Sequence, residues 1–301
     1  MDLRAIILGV TFAFIWASAF TSARVIVDYA PPISALAVRF WISGVIGVAL
    51  ARMTGQSWRL TRGQWLAVIV FGICQNAIYL GANFVAMQTI EASLATIIAA
   101  TMPLLVALIG WLAFGTRVNR LGALGLVVGL AGVTLIMGAR FSGGVDGTGV
   151  ALCVIGVVAL AVATLAVRGA STGGNLLMVV GLQMLVAAAI LSPVALLTEE
   201  PTIEPTWQLW LSFAYTVVFP GLLATWIWFV LVQRIGAVKA ATYHFLTPVF
   251  GVGVAAILLG EALGWADVVG VAIVALGILA VQLSRQGAAV VGGTVRTVSS
   301  D

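Results

Sequence analysis

The sequence predicts an all-α integral membrane protein of ten transmembrane helices, arranged as two inverted five-helix repeats. Three observations carry that prediction. Of the 301 residues 62% are hydrophobic and 8% charged, with a mean hydropathy of +1.18, whereas soluble domains carry roughly 25% charged residues. The few charges stand between long charge-free runs. The chain also matches itself at an offset of 145 residues.

A span needs about 20 mainly apolar residues, and the runs between charges supply ten. Span 1 (5–23) ends at Arg24, and span 2 (33–51) is interrupted only by Arg39. Span 3 (64–86) lies between Arg62 and Glu91, span 4 (92–114) between Glu91 and Arg117, and span 5 (120–139) runs up to Arg140. In the second half, span 6 (148–168) follows Asp146, span 7 (175–197) ends before Glu199, and span 8 (207–232) lies between Glu204 and Arg234. Span 9 (239–259) precedes Glu261 and span 10 (266–284) precedes Arg285. The runs are too long and too evenly apolar for the roughly 10-residue alternating strands of a membrane barrel. Residues 1–20 resemble a signal peptide in their basic start and apolar run, but belong to the repeat and are read as a retained span.

Loop cations set the orientation. With the N-terminus inside, Arg4, Arg52, Arg59, Arg62, Arg117, Arg120, Arg168, Arg234, Lys239, Arg285 and Arg296 face the cytoplasm, 11 of 14 cations. The acids Asp28, Glu91, Asp146, Glu199, Glu200, Glu204, Glu261 and Asp267 fall outside. Both termini are therefore expected in the cytoplasm, with 285–301 as a short flexible tail. The pI of 9.6 reflects this topology and not nucleic-acid binding. Cys74 and Cys153 lie within apolar runs, lack metal or disulfide spacing and are read as small core residues.

The offset of 145 places Phe84, Gln88, Pro103, Gly115, Gly125 and Gly132 on Phe229, Gln233, Pro248, Gly260, Gly270 and Gly277. The halves are then 1–141 (spans 1–5) and 142–284 (spans 6–10). Five spans per half is an odd number, so the second half enters the bilayer upside down. Inverted repeats point to a transporter with a midplane site between its halves and alternating access.

Polar residues inside spans are the default site candidates, because an unpaired polar group in hydrocarbon is costly. On span 3, Gly72, Asn76, Tyr79 and Asn83 stand at i, i+4, i+7 and i+11, one face of an α-helix. By the repeat, Trp228 of span 8 stands opposite. Pro103 and Pro248 occupy matched positions in spans 4 and 9, where each ring displaces the carbonyl four residues back, here Ala99 and His244. Tyr243 and His244, the single histidine, adjoin the second bend. On span 1, Ser18 lies on a hydroxyl stripe with Thr11 and Ser22, while Trp16 points to nearly the opposite face. The glycines at 122, 125, 129, 132, 270 and 277 are read as sites of close helix packing.

No Asp or Glu occupies the middle of a span, which argues against a carboxylate proton relay and a pocket for cationic drugs. Only Arg39 is well inside a span, too little for a phosphorylated substrate. A membrane enzyme would need a nucleophile with a His or acid partner, and no enzyme activity, cofactor or metal is expected. What remains suits a small zwitterion or a neutral metabolite.

Residues 5–284 resemble the drug/metabolite transporter superfamily in its ten-helix form with two EamA-type repeats. The resemblance rests on Trp16-Ala17-Ser18-Ala19-Phe20, on Pro32 followed by Arg39-Phe40, on Ala92 through Pro103 to Gly115, and on Ala237 through Pro248 to Gly260-Glu261. The glycine-glutamate pair that ends span 9 has become Gly115-Thr116 after span 4, and span 6 lacks a match for Trp16. The resemblance is nearest the aromatic amino-acid exporter branch and implies a central cavity formed by spans 1, 3, 4, 6, 8 and 9. The expected activity is export or facilitated movement of amino acids, aromatic or hydrophobic ones among them, by a monomer or homodimer in the lipid bilayer. Asn76, Tyr79 and Asn83 would hold polar groups, Tyr243 and Trp228 would stack on a side chain, and the bends at Pro103 and Pro248 would close the ends. A multidrug or nucleoside-type exporter is the alternative within transport, and a non-transporting scaffold or enzyme the alternative outside it.

Overall fold

The computed structural model describes residues 2–115, 119–166 and 174–296. Ten helices are long and apolar enough to cross a bilayer: α1 Leu3–Tyr29, α2 Pro32–Met53, α3 Arg62–Ala86, α4 Ala92–Ala113, α5 Arg120–Ser142, α6 Gly147–Ala166, α7 Leu176–Thr198, α8 Trp207–Val232, α9 Lys239–Leu259 and α10 Trp265–Ser284. No strand occurs among the described residues. Below, the end of the bundle that holds Leu3 is called proximal and the end that holds Tyr29 distal.

Local chemistry sets the helix ends. Thr61 and Gln64 form a reciprocal capping box at the start of α3, Asn119 accepts from Gly122 N at 2.8 Å, and Thr206 accepts from Leu209 N at 3.3 Å. Pro32 opens α2, where a missing N–H costs nothing. The last turn of α4 and the end of α9 close on Gly115 and Gly260, both left-handed at φ +60° and +68°. Contrary to the sequence reading, α1 does not stop at Arg24. Arg24 pairs with Asp28 one turn on, and a helix of 27 residues, about 40 Å long, outreaches the roughly 30 Å hydrocarbon layer, so its charged last turns stand clear of lipid. The α10 helix continues to Arg296, where the sequence suggests a tail.

Four helices have irregular backbones at matched positions. In α3 the segment Gly72–Leu80 is π-helical, and in α8 so is Val217–Leu223, starting 145 residues later. The α4 helix breaks at Thr101, before Pro103. A 3₁₀ turn, Tyr243–Leu246, interrupts α9 before Pro248.

Packing repeats between the halves. The α2 helix lies along α7 and α5 along α10; α1 packs on α8 and α9, as α6 packs on α3 and α4; α4 meets α9. Each contact survives exchange of helices 1–5 with 6–10. Glycines bring the paired backbones together: a Cβ on Gly47 would stand 3.1 Å from Gly181 Cα, one on Gly132 2.9 Å from Gly270 O, and one on Gly277 2.5 Å from Gly129 Cα. Large apolar side chains such as Leu196, Leu197 and Ile257 are more than 80% exposed, the surface of a protein solvated by lipid.

At the distal end carboxylates cap the helices of the opposite half. Glu199, after α7, accepts from Ile33 N and Ser34 N of α2, each at 2.7 Å. Glu261, after α9, accepts from Ala92 N and Ser93 N of α4 at 2.7 and 2.9 Å. Arg140 of α5 bridges Glu91 and Asp267 at 2.5 and 3.0 Å.

Candidate functional site

A cavity of about 50 Å³ lies in the distal half of the bundle, walled by Trp16 and Phe20 of α1, Arg39 of α2, Tyr79 and Asn83 of α3 and Pro220 of α8, among others. One water needs roughly 10–15 Å³ of such space. The cavity therefore holds a few waters as it stands, and an organic solute enters only if the helices part.

The wall contributed by α3 is built by its π segment and by a glycine on α6. A Cβ on Gly156 would stand 3.2 Å from Tyr79 Cα, so the missing side chain lets α6 press on the α3 backbone. Asn83 Nδ2 donates to Tyr79 O at 2.7 Å, and its Oδ1 accepts from Cys153 Sγ at 3.3 Å. Asn83 is thus held from both sides while its flank faces the cavity.

The stripe read at α-helical spacing on span 3 divides in space. Gly72 meets α7, where a Cβ would stand 2.9 Å from Gln183 O. Asn76 is buried with Nδ2 unpaired, but is not part of the cavity wall. Only Tyr79 and Asn83 line it. The cause is the π segment, which takes about 4.4 residues per turn and spoils a register counted at 3.6.

Ser18 joins α1 to α8. Its hydroxyl donates to Ile15 O at 2.9 Å and lies 2.6 Å from Tyr215 Oη, so the tyrosine is the donor in that pair. One turn on, Ser22 Oγ lies 2.8 Å from Thr216 Oγ1. Tyr215 in turn stacks on Phe219, ring centres 4.9 Å apart.

The remaining candidates gather nearer the proximal end. Phe12 packs against Trp228 at 5.0 Å and His244 at 5.3 Å, and Trp228 meets His244 edge-on at 5.4 Å. Such centroid distances are those of favourable aromatic pairs. Tyr243 fills the space beside Gly9, leaving no room there for a Cβ. Trp16 belongs to both groups, because it lines the cavity and stacks on Phe12 at 5.8 Å. His244 Nδ1 is buried without a partner. Trp228 and Tyr243 do not line the cavity that Tyr79 and Asn83 help to wall, and the aromatic cluster lies on its proximal side.

Both prolines are buried just past a backbone break. The carbonyl of His244 is not left free, as proline geometry alone implies, but accepts from Thr247 N through the 3₁₀ turn. Around Thr101 the chain tightens likewise, Leu104 N donating to Thr101 O at 2.9 Å.

Sequence reasoning missed Arg39, Tyr215, Pro220 and Phe12. Two of these left signals, a lone charge within a span and a proline within a span. Tyr215 and Phe12 left none, since their roles depend on which helices adjoin. The predicted cavity helices 4, 6 and 9 do not wall this cavity, whereas α2 does, through Arg39.

Comparison with known proteins fits this architecture. The EamA-like transporter family profile matches twice, over residues 3–138 and 147–283. An uncharacterized transporter of Bacillus subtilis, YvbV, is 25% identical over 261 residues, covering 86% of this chain and 85% of its own. An uncharacterized inner membrane transporter of Escherichia coli, YedA, is 27% identical over 281 residues, covering 90% and 87%. A crystal structure at 23% identity superposes with a TM-score of 0.66 over 95% of this chain and 99% of the other, which speaks for the fold alone. With both halves matched and ten apolar helices in place, this multi-pass membrane protein belongs to the EamA-like transporter family.

Proposed function

We propose that the protein exports amino acids, or facilitates their movement, across a bacterial inner membrane by alternating access between two inverted repeats, 1–141 and 142–284. The observation that carries this reading is the small cavity with a polar and aromatic wall, Tyr79 and Asn83 on one side and Trp16 on the other, closed proximally by the Phe12–Trp228–His244 cluster. An amide and a phenol suit the backbone of an amino acid, and the indole suits an apolar side chain. The matched π segments, matched breaks and exchangeable helix contacts support the repeat that alternating access requires. Loop cations support cytoplasmic termini. Pro103 and Pro248, beside their breaks, serve as bending points, Trp228 and Tyr243 close the inner mouth, and Asn76 and Ser18 hold the wall in place.

The experiment is uptake of a panel of labelled amino acids into proteoliposomes, with Tyr79→Ala and Asn83→Ala beside the wild type. Saturable uptake of at least one amino acid, lost in both variants, is expected. A wild type that moves no amino acid overturns the proposal. Movement is driven by the substrate gradient in this reading. Strong dependence on a pH gradient that disappears in His244→Ala would replace it with proton antiport.

A further inference from the structure

We infer that Arg39 is the anion-binding group of the cavity and that the ligand it awaits carries a carboxylate. This rests on the cavity being the substrate site. Arg39 lies in the cavity wall, is 6% exposed, and its Nε has no hydrogen-bond partner. Among the described residues the ion pairs are Arg24–Asp28, Arg140–Glu91, Arg140–Asp267 and Arg234–Asp2; none involves Arg39. Among the described residues the acids stand at helix ends or in loops, and none pairs with this guanidinium.

An uncompensated buried cation is costly unless a partner is supplied from elsewhere. The ring of Phe40, 5.5 Å from the guanidinium carbon, meets part of that need through its π face, but it cannot accept the N–H groups in their plane. Thr21 Oγ1 on α1, Ser43 Oγ one turn along α2 from Arg39 and Asn76 Nδ2 on α3 are further unpaired buried atoms of the same helices, though none of the three residues lines the cavity. Each can donate, and no acidic acceptor faces them. A planar group with two anionic oxygens matches the guanidinium fork, which a compact cation or a neutral solute does not. The absence of an acid in the wall has a converse. An ammonium group finds no countercharge, so the carboxylate of a zwitterion contributes the recognition and its amine does not.

The test is isothermal titration calorimetry on the full-length wild type in nanodiscs with L-phenylalanine, 3-phenylpropanoate and phenethylamine, which share a ring and differ in charge. The first two are expected to bind, and phenethylamine about tenfold more weakly or worse, a comparison that needs no variant. Arg39→Gln, checked for a cooperative melt, should weaken the two carboxylates by about thirtyfold or more, the usual scale for truncating one partner of a buried charge pair. Arg39→Lys should fall between, keeping charge and losing the fork. Phenethylamine bound as tightly as 3-phenylpropanoate, or a folded Arg39→Gln with unchanged carboxylate affinity, overturns the inference and leaves amino-acid export standing. Failure of the wild type to bind any of the three also overturns the inference, while the export reading is judged separately by the liposome panel.

Discussion

Glu261 caps α4 from the far half of the chain, its carboxylate accepting from Ala92 N at 2.7 Å and, through the second oxygen, from Ser93 N at 2.9 Å. Both N–H groups belong to the first turn of α4, where no intrahelical acceptor exists and the helix dipole favours an anion. In the sequence the equivalent position of the first half is Thr116, outside the described residues, and the helical segment that leads into α9 has Gly236 as its N-cap, with no side-chain hydrogen bond. Glu261→Ala should lower stability by about 1–2 kcal/mol, measured as a drop of several degrees in thermal melting in detergent. An unchanged melt would mean that water caps α4 equally well.

At its glycines the α5–α10 contact brings the two backbones together. A Cβ on Gly277 would lie 2.5 Å from Gly129 Cα and 2.8 Å from Gly125 O, both backbone atoms that cannot turn aside. Gly277→Ala should therefore cost about 1–3 kcal/mol as an overpacked contact. Gly253→Ala, at a site with nothing within 4 Å, should be neutral or slightly stabilising. Melting of the two variants side by side makes the comparison.

Between α1 and α8 the Tyr215–Ser18 hydrogen bond, 2.6 Å long, should show a coupling of about 0.5–1.5 kcal/mol, the range found for such bonds between membrane helices. A double-mutant cycle with Ser18→Ala and Tyr215→Phe measures it. Additive effects would assign the contact to packing alone.

Two carboxyls outside the spans titrate below their ordinary value of 3.8. Asp2 is held down chiefly by its hydrogen bond with Arg234, and Asp146 chiefly by the Thr89 hydroxyl 2.6 Å away. A depressed folded value means stability that is fully present above about pH 4 and is lost as pH falls through the folded value. Both groups are exposed, and screening keeps the effect small. Asp2→Asn and Asp146→Asn should melt below the wild type at pH 7, and the gap should close toward pH 3.

Ten spans were legible because a charge in hydrocarbon is costly enough to mark the end of nearly every run, and the prolines were legible because their ring excludes a regular helix at any depth. Arg24 misled, since an i,i+4 partner at Asp28 let α1 continue past it. The polar stripe on α3 divides at Asn76 because no residue pattern marks a π segment, here one against which α6 and α7 pack. Arg39 was visible as a lone charge well inside a span, yet its being unpaired depends on which side chains surround it. The Glu261 cap and the Tyr215–Ser18 bond join residues 169 and 197 positions apart, beyond the reach of any local rule.

The glycine seams have a mechanical consequence. Where backbones touch, as between α2 and α7 and between α5 and α10, there is no layer of side chains to shear, so these four helices form a stiff frame. Among the described residues every π, 3₁₀ or broken segment within a span falls in α3, α4, α8 or α9. Compliance is therefore segregated from rigidity along the chain, and amide hydrogen exchange should be fastest, within the spans, at 72–80, 101–103, 217–223 and 243–247 and slowest along the frame. Uniform protection across all ten helices would contradict this division of labour.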